Sequence, residues 1–329
     1  RVRICDIAQE LGVSTATVSN VIHGKTGKVS PETVRQVQAL LEKRQYIPSM
    51  AGVLLARNTS KIIGVVICDH EKYEGRPLED PFLAAALNAL NREIRQAGYF
   101  LMVRTAADTE EIVRLASMWN MDALVLIGFC DSDYASLRRE SRIPFVVYDG
   151  VCRIDDEEIA MLTVDNKKGG LMAGRYLKDM GHGSVLCLTD NHWRMDEDRC
   201  SSVIEVVGRG DELMIPMDKE ERWKLYKEKL EYILSFSSVF AISDYYALDF
   251  MAFMETNGKS IPQDISLIGF DGSLEAQLFS LTTVSQNHME RAKLAVDSIE
   301  EFRRKDKANR VKMVDVFLKE GTTVRRLCD

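Results

Sequence analysis

The stretch Asp6–Ile22, with the sequence DIAQELGVSTATVSNVI, decides how the first part of this chain folds. Apolar residues recur at helical spacing in both halves of the stretch. Between the halves, Gly12 provides the positive φ that ends a helix, and Ser14 can cap the N-terminus of the next one. The pattern predicts two short helices joined by a tight turn, which is the spacing of a helix-turn-helix.

The outward face of the second helix carries short side chains that fit the major groove of DNA. An Asn side chain can make a bidentate contact to adenine, and the methyl groups of Thr or Ala can touch thymine. The candidate DNA contacts on this helix and at its cap are Ser14, Thr15, Ala16, Thr17, Ser19 and Asn20. The alternative is a small helical hairpin that only packs against another part of the protein.

The next residues add a basic loop and a third helix. Lys25 and Lys28 lie in a glycine-containing loop and suit contact with a phosphate backbone, with an ordinary solvated loop as the alternative. Ser30 and Pro31 then mark the start of another helix, as its cap and its first residue. An apolar stripe on that helix can face the first two, so three helices make a minimal domain.

The distribution of charge separates this head from the rest of the chain. The net charge is -7, but residues 1–61 hold nine Lys and Arg against four Asp and Glu. The remaining residues hold 34 basic side chains against 46 acidic ones. A basic head on an acidic body is the electrostatic footprint of a nucleic-acid reader joined to another domain.

Length and composition indicate a folded protein of two or three domains. Of the 329 residues 46% are apolar and 28% charged, and no apolar run is long enough to span a bilayer. The seven scattered cysteines form no C-x-x-C pair and the five histidines show no metal-ligand spacing, so we expect reduced thiols, no metal and no cofactor. Because a helix begins directly after the first basic residues, with no room for a signal peptide, we expect a cytoplasmic protein without a membrane partner.

Residues 48–61 are predicted to form a hinge between the head and the body. A helix over residues 50–57, capped by Ser49, is under three turns long, and Gly52 costs it about 1 kcal/mol relative to alanine. Such a helix needs a partner in order to form, and apolar side chains such as Leu55 suggest that it meets a surface in a bound state. A linker that packs loosely on the next domain is the alternative.

From Ile62 onward, apolar runs alternate with amphipathic helices, which is typical of doubly wound α/β domains. The runs predict buried parallel strands at 62–67, 100–103, 123–127, 145–148, 160–164, 185–188, 239–242 and 266–270. The helices between them are predicted at 82–97, 109–120, 134–140, 167–180, 198–207, 220–235 and 245–256. The pattern occurs twice over, so we expect two lobes.

Residues that directly follow strands are the pocket candidates, because ligands of such folds bind at the carboxyl ends of the strands. Asp149, Asp244 and Asp271 each follow a predicted strand, and Arg199 begins a helix that can face a cleft. Carboxylates and a guanidinium suit the vicinal hydroxyls of a sugar. The alternatives are that Asp149 and Asp244 cap turns and that Arg199 forms a surface ion pair.

A series of motifs keeps one order and spacing over residues 6–65: Asp6-Ile7-Ala8, Gly12-Val13-Ser14, Thr17-Val18-Ser19, Val29-Ser30, Thr33, Tyr46-Ile47-Pro48, Leu55-Ala56 and Ile63-Gly64-Val65. In these motifs the head resembles the LacI/GalR (lactose-repressor) family of bacterial transcription factors. The resemblance implies a recognition helix in the major groove and a hinge helix that folds on binding and inserts a leucine into the minor groove. It assigns the base-reading positions to Thr15, Ala16 and Asn20, the wedge to Leu55, and further hinge positions to Ser49 and Gly52.

The body resembles the same family through Ile268-Gly269-Phe270-Asp271 and the pattern Leu281–Gln286. The resemblance implies a periplasmic-binding-protein-like cleft between two lobes, a small effector in it, and a homodimer. The effector positions it implies are Arg199, Asp271, Gln286 and Asp149, with Phe82 near the cleft mouth and His288, for which a place in the lobe interface is the alternative. Gly272 and the long, charged connection Asp69–Asp80 depart from the usual pattern of the family.

The segment Tyr245–Met254 is apolar on nearly every face. It is either buried inside one lobe or packed against a second copy of the chain. The homodimer that the resemblance implies favours the second interpretation.

The predicted fold is an all-α helix-turn-helix head at 1–47, a hinge at 48–61 and an α/β two-lobed periplasmic-binding-protein-like body at 62–329, with two doubly wound parallel sheets. Lobe 1 is expected at about 62–156 and 286–308, and lobe 2 at about 157–285 and 309–329.

The predicted function is a sequence-specific transcriptional regulator, a repressor and not an enzyme. Its expected partners are double-stranded operator DNA, a small effector best matched by a sugar or sugar derivative, and a second copy. The alternative is an enzyme or a solute-binding protein with a fused DNA-binding head.

Overall fold

The computed structural model describes residues 2–47, 59–191, 194–306 and 310–327. It contains two compact units, residues 1–60 and 61–329. The predicted hinge positions Ser49, Gly52 and Leu55 lie outside the described residues. No helix in the four described ranges has both the length and the apolar character needed to cross a lipid bilayer.

Local signals in the sequence set the helix ends of the head. Its elements are α1 (Ile4–Leu11), α2 (Thr15–Ile22), a 3₁₀ helix (Thr26–Lys28) and α3 (Pro31–Lys43). Gly12 ends α1 with a φ of 62°. The hydroxyl oxygen of Ser14 accepts the Thr17 N–H at 3.0 Å, and that of Ser30 accepts the Thr33 N–H at 3.1 Å. The predicted caps of both helices are therefore confirmed.

The core of the head is drawn from all three helices. Ile7, Val18 and Val37 are fully buried, and each such side chain contributes about 1.5–3 kcal/mol. At the start of α1 the Asp6 carboxylate accepts the Arg3 N–H at 2.8 Å. A first-turn carboxylate thus satisfies a free backbone donor at a helix start that has no serine or threonine cap.

The first lobe is built on a parallel sheet. Its strands are β1 (Ile62–Cys68), β2 (Phe100–Ala106), β3 (Ala123–Ile127), β4 (Phe145–Asp149), β5 (Ile159–Val164) and β11 (Val311–Val314), in the order β11-β5-β4-β3-β1-β2. Its helices are α4 (Pro81–Gln96), α5 (Thr109–Met118), α6 (Asp131–Glu140) and α13 (His288–Arg304). Helices α4 and α13 pack on one face of the sheet, and α5 and α6 pack on the other.

The second lobe repeats this architecture. Its strands are β6 (Val185–Thr189), β7 (Gly210–Met214), β8 (Ser238–Ala241), β9 (Ser266–Asp271), β10 (Thr282–Gln286) and β12 (Val316–Lys319), in the order β12-β10-β9-β8-β6-β7. Its helices are α7 (Asn166–Asp179), α8 (Arg194–Val207), α9 (Lys219–Glu228), α10 (Leu230–Ile233), α11 (Asp244–Thr256) and α12 (Leu274–Leu278). Strand β12 runs antiparallel to β10, whereas the other neighbours in the sheet are parallel. The predicted pair of doubly wound sheets is therefore present, with one antiparallel edge.

The lobe boundaries differ from the predicted ones. Strand β5 pairs with β4 in the first sheet, so lobe 1 extends to Val164 and does not end at residue 156. Strand β11 also pairs in the first sheet, and only β12 belongs to lobe 2. Gln286 still pairs with Val316 in the second sheet, so it ends lobe 2. The chain thus crosses between lobes near residues 165, 287 and 315, because long-range strand pairing decides which sheet a short apolar run joins.

Four strands were not predicted: β7, β11 and β12, which lie at sheet edges, and the interior strand β10. Strands β7, β11 and β12 are four or five residues long, are mostly exposed or half-buried, and contain no apolar run longer than three residues. Strand β10 is fully buried, but four of its five residues are polar. The predicted helix at 220–235 is also divided, into α9 and α10 at Lys229.

The segment Tyr245–Met254 lies in helix α11 of the second lobe. Tyr246, Phe250, Phe253 and Met254 are buried among the core residues of the second lobe. Most of its apolar surface is therefore buried inside one lobe, and contact between its remaining face, with the half-buried Leu248 and Met251, and a second copy stays a prediction. Hydrophobicity on all faces of a short helix here reflects burial inside one lobe.

Two glycines of α7 bring this helix unusually close to its neighbours. A Cβ atom on Gly170 would collide with the carbonyl group of Arg199 on α8, and one on Gly169 would collide with the Phe270 ring. The two glycines therefore allow close packing of α7 on α8 and on the sheet. This packing sets the position of Arg199 at the end of the sheet.

Candidate functional site

A cavity of about 320 Å³ lies between the two lobes of the body. It is lined by residues at or directly after the ends of strands in both sheets, among them Asp149, the last residue of β4, and Asp190, which follows β6. Four of the predicted effector residues are in its wall: Phe82, Asp149, Arg199 and Asp271. The cavity thus lies where the rule for carboxyl ends of parallel strands predicts a ligand site.

Arg199 is a buried guanidinium held in one orientation. Its Nε donates to Asn166 Oδ1 at 2.7 Å, and its Nη1 donates to the Ile242 carbonyl at 2.7 Å. The guanidinium also lies over the Phe270 ring, 3.8 Å from the centroid, and its Nη1 is 3.8 Å from Asp196 Oδ1. A cation fixed in this way loses little conformational entropy when it binds a hydroxyl or carboxylate oxygen.

A chain of four polar side chains connects the two lobes beneath the cavity. Arg291, on α13 of lobe 1, donates from Nη2 to Asp149 Oδ1 and from Nη1 to Gln286 Oε1, both at 2.6 Å. Gln286 ends β10 in lobe 2, and its amide donates to Asp271 Oδ1 at 2.8 Å. The predicted residues Asp149, Gln286 and Asp271 are thereby brought together through an arginine that the sequence patterns did not single out.

Gln286 and Asp244 lie behind the cavity wall. Gln286 is bonded to Arg291 and Asp271 as described, and only 5% of its surface is exposed. Asp244 is fully buried, where it accepts the Ser273 N–H at 2.7 Å and the Thr283 hydroxyl at 2.6 Å. These contacts make Asp244 a link between α11, β10 and the turn after β9, and they match the capping alternative more closely than ligand contact.

His288 also lies behind the wall, where its ring packs on Phe82 with a centroid distance of 5.4 Å. Neither ring nitrogen has a hydrogen-bond partner in the described part of the chain. Burial and the nearby Arg291 guanidinium lower the pKa of His288 to about 4, so the ring is neutral at physiological pH. It therefore supports Phe82 from behind as an apolar ring.

The backbone geometry after Asp271 explains why position 272 is a glycine in this chain, in contrast to the usual pattern of the family. Asp271 has a φ of 130°, and Gly272 follows with a φ of 73°. A Cβ on residue 272 would collide with Ser285 on β10. Burial and the neighbouring Asp244 carboxylate raise the pKa of Asp271 well above its ordinary value. A strained, buried carboxyl group at a cavity wall is typical of a functional position.

Several lining residues were not predicted. They include Lys72 and Asp80 from the connection after β1, Asp190 after β6, Asp196 on α8, and Tyr245 and Tyr246 on α11. The rule that selected Asp149 and Asp271 also applies to Asp190, because it directly follows β6. The contribution of Lys72 had no comparable signal, since it depends on how a long loop folds back over the cleft.

In the head, the candidate DNA contacts lie along α2 and the loop after it. Thr15, Ala16, Lys25 and Lys28 are exposed, and Ser19 and Asn20 are half-buried. The hydroxyl groups of Ser14 and Thr17 are hydrogen-bonded to each other at 2.9 Å at the start of α2. These two residues therefore orient the N-terminal turn of the helix, whereas the exposed ones are free to reach a groove or a phosphate.

A metal ion has no evident ligand set in the part of the chain that the structure describes, because no three His, Cys, Asp or Glu side chains there are grouped to hold one. The chemistry that the cleft offers is instead hydrogen bonding and charge. It presents carboxylates, a fixed guanidinium and aromatic rings, which suit recognition of a small polar molecule.

A helix-turn-helix head and a two-lobed α/β body with a polar cleft define the class of DNA-binding transcriptional regulators with a periplasmic-binding-protein-like body. Residues 3–49 match the family model described as bacterial regulatory proteins, lacI family, and residues 175–323 match that of the periplasmic binding protein-like domain. The HTH-type transcriptional repressor PurR of Escherichia coli O139:H28 is 30% identical over 86% of this chain and 85% of its own length. The chain belongs to the LacI family of bacterial regulatory proteins.

Other relatives cover almost the whole chain. The HTH-type transcriptional regulator MalR of Clostridium butyricum is 26% identical over 96% of this chain and 97% of its own length. The fold is similar to that of a Lac repressor dimer bound to operator and the anti-inducer ONPF, with a TM-score of 0.80, 18% identity, and 98% and 99% coverage. It is also similar to a CelR–cellobiose complex, with a TM-score of 0.68, 18% identity, and 98% and 100% coverage.

Proposed function

We propose that this chain is a homodimeric repressor whose binding to a two-half-site operator is controlled by a small ligand in the interlobe cleft. The observation that carries the proposal is the cavity of about 320 Å³ with Asp149 from one lobe and Asp271 and Arg199 from the other in its wall. A ligand that contacts both lobes binds best to one relative arrangement of them. Its binding free energy therefore shifts the lobe equilibrium.

The hydrogen-bonded side chains under the cavity provide a physical link between ligand binding and lobe orientation. One oxygen of Asp149 accepts a hydrogen bond from Arg291, and one oxygen of Asp271 accepts a hydrogen bond from Gln286. A ligand hydroxyl or amine that bonds to either carboxylate competes with, or reinforces, the bonds that join the lobes. The cleft is thus suited to convert ligand contact into a change of lobe orientation.

DNA binding in this proposal depends on two heads. The exposed face of α2 with Thr15, Ala16 and Asn20 is too small for tight binding by itself, and Lys25 and Lys28 add only a few phosphate contacts. Two heads on two half-sites double these contacts and raise the effective affinity through avidity. The predicted hinge, with Ser49, Gly52 and Leu55, would then respond to the spacing of the two bodies.

The surface that best fits a second copy lies at the end of α12. Leu274, Leu278 and Phe279 are 64%, 73% and 62% exposed, and they follow one another on a five-residue helix and its C-cap. Large apolar side chains grouped on a surface mark an association site. We therefore place the dimer contact of lobe 2 here in place of the buried helix α11.

Calorimetry tests the proposal directly. A panel of sugars, nucleosides and sugar phosphates is titrated into the full chain, with and without an operator duplex selected from random DNA. We expect one compound to bind in the cleft and to change operator affinity, and the operator to change the affinity for that compound by the same factor. Operator binding that no compound changes would remove ligand control, and conversion of a compound to product would indicate an enzyme.

A further inference from the structure

The charge of the cavity wall limits what the cleft can bind. Among the described lining residues, two side chains carry a permanent positive charge, Lys72 and Arg199. Six are aspartates: Asp80, Asp133, Asp149, Asp190, Asp196 and Asp271. A site with this balance repels an anionic ligand and concentrates a cationic one.

Most of these carboxylates are held by neutral donors, which orient them without cancelling their charge. The Tyr246 hydroxyl donates to Asp190 at 2.6 Å, and the Leu83 N–H donates to Asp80 at 3.0 Å. Asp149 differs, because the buried Arg291 guanidinium pairs with it from behind the wall. Asp80 and Asp149 each have a second oxygen available as an acceptor, whereas the other oxygen of Asp190 accepts the Asn191 amide at 2.6 Å. The wall therefore offers more acceptors than donors.

Burial and the crowding of acidic groups raise the pKa values of two of the lining aspartates. Burial and the nearby Asp190 and Asp149 carboxylates raise the pKa of Asp196 to about 6, although the Arg199 guanidinium opposes this shift. The pKa of Asp271 is also raised, by burial and by Asp244. A cation that enters the cleft would favour the ionised forms of these two carboxyl groups.

The connection after β1 places the chain's own cation in this environment. The Lys72 ammonium lies over the Tyr73 ring, 5.0 Å from the centroid, and forms no ion pair with any carboxylate in the described ranges. Burial by itself would lower the pKa of Lys72, but Tyr73 and the Asp80, Asp190 and Asp271 carboxylates, which line the same cavity, raise it above its ordinary value. The ammonium therefore stays charged beside Tyr73, with no carboxylate in ion-pair contact among the described residues.

Two contacts hold the Lys72 segment across the cleft. His70 Nε2 is 2.7 Å from the Gly128 carbonyl oxygen in lobe 1, and the Tyr245 hydroxyl of lobe 2 donates to the Lys72 carbonyl at 3.1 Å. The Tyr245 contact connects the segment to the opposite lobe. Movement of Lys72 out of the cleft would break it and alter how the lobes are joined.

We propose that the effector of this cleft is a hydroxyl-bearing amine, such as an amino sugar, and that Lys72 occupies its ammonium subsite in the ligand-free protein. This inference rests on the proposed ligand control and names the chemical class of the ligand. The incoming ammonium replaces the tethered one among Asp80, Asp190 and Asp271, its hydroxyl groups bond to the free carboxylate oxygens, and the displaced segment releases Tyr245.

Chemical rescue tests the ammonium subsite without knowledge of the natural ligand. In Lys72→Ala, we expect butylammonium chloride to raise the melting temperature with a saturable dependence on concentration. Neutral 1-butanol and sodium chloride at equal ionic strength should not reproduce the rise. Wild type and Lys227→Ala, which removes an exposed lysine of α9, should respond to butylammonium no more than to sodium chloride.

Lys72→Met keeps the apolar stem over Tyr73 and serves as the second variant if Lys72→Ala folds poorly. An equal response to butylammonium and butanol, or an equal response of the Lys72 and Lys227 variants, would overturn the proposed subsite.

Matched ligands test whether the effector is an amine. D-glucosamine and D-glucose 6-phosphate each differ from D-glucose at one group, and the galactose series offers the same comparison. We expect the amine to bind about tenfold more tightly than the neutral sugar, which one additional ion pair can supply, and the phosphate to bind most weakly. Lys72→Ala should raise the affinity for the amine, because the competing ammonium is gone, and Lys227→Ala should leave it unchanged.

The two levels of the proposal fail in different ways. If a neutral sugar or a phosphate binds as tightly as the amine and changes operator binding, ligand control stands and the cationic class is wrong. If amines bind in the cleft and operator affinity never responds, the ligand class stands and the control is wrong.

Discussion

At the scale of single residues, the burial of charged side chains in the cleft lowers the stability of the folded protein. Asp196 is 9% exposed, and its pKa is raised from an ordinary 3.8 to about 6. The groups that face it are Arg199, Asp190, Asn191 and Asp149. Because the folded state binds the proton more tightly than the unfolded state, stability falls as pH rises from about 4 to about 6 and then stays level.

We expect Asp196→Asn to stabilise the body by roughly 2 kcal/mol at about pH 7.5, and to lose this advantage below about pH 4, where the aspartate is protonated in both states. Urea unfolding at several pH values measures the effect. Glu197→Gln, an exposed neighbour on the same helix, should show no such dependence. Destabilisation at every pH would show that the contact of Asp196 with Arg199 outweighs the cost of burial.

The Arg291 guanidinium is the second residue whose removal should be costly. Arg291→Met leaves the Asp149 carboxylate and the Gln286 carbonyl without their buried partner, and we expect a loss of about 3 kcal/mol. In the double variant with Asp149→Asn, part of this loss should be recovered, which a double-mutant cycle from urea unfolding measures. Additive losses would mean that the pair does not act as a unit.

At the scale of elements, α2 and α12 show how short helices carry surface functions. Helix α2 is held by its Ser14 cap and the buried Val18 and Val21, which leaves the opposite face for DNA. Helix α12 buries Ala276 and exposes Leu278 beside its C-cap Phe279. In both cases the buried side fixes the helix, so substitutions on the exposed side should change binding with little change in fold.

Two substitutions in the head should separate reading of sequence from contact with phosphate. Asn20→Ala should relax selection at one base pair of a selected operator by about 1–3 kcal/mol, because a bidentate base contact is lost. Lys25→Ala should weaken all duplexes alike and lower the salt slope of binding by about 1. Fluorescence anisotropy with matched and mismatched duplexes distinguishes the two patterns, and identical behaviour of the variants would argue against base reading by Asn20.

Leu278→Glu should convert the dimer to a monomer, because a charge would be buried at the proposed contact. Sedimentation velocity measures the change, and the loss of avidity should lower operator affinity by about a hundredfold or more. Met118→Glu introduces the same charge at an equally exposed apolar position on α5 and should leave the oligomeric state unchanged. A Leu278→Glu protein that remains dimeric would place the interface elsewhere.

At the scale of the whole molecule, the proposed ligand control requires that a change in the body affects DNA binding by the head through residues 48–61. We predict that Leu55→Ala weakens operator binding while the body keeps its melting temperature and its ligand affinity. Gel-shift titration and thermal unfolding measure the two effects. Unchanged operator affinity would remove the hinge leucine from the mechanism.

The sequence by itself determined the local features of this protein. Gly12, Ser14 and Ser30 end or begin helices through contacts within a few residues, and fully buried strands such as β3 appear as apolar runs. The rule for strand ends located Asp149 and Asp271, because the end of a parallel strand lies at the cleft wherever the strand sits in the sheet.

Only the tertiary structure decided which sheet β5 joins. It also decided that Asp244 faces inward whereas Asp271 lines the cavity. The positions of Arg291, which binds Asp149 from a helix, and of Lys72, which lines the cavity from a loop, likewise depend on the tertiary structure. Pairing partners, burial and the direction in which a side chain faces depend on contacts between residues far apart in the chain. A local pattern of apolar and polar residues does not contain that information, so these features became visible only once both lobes were packed.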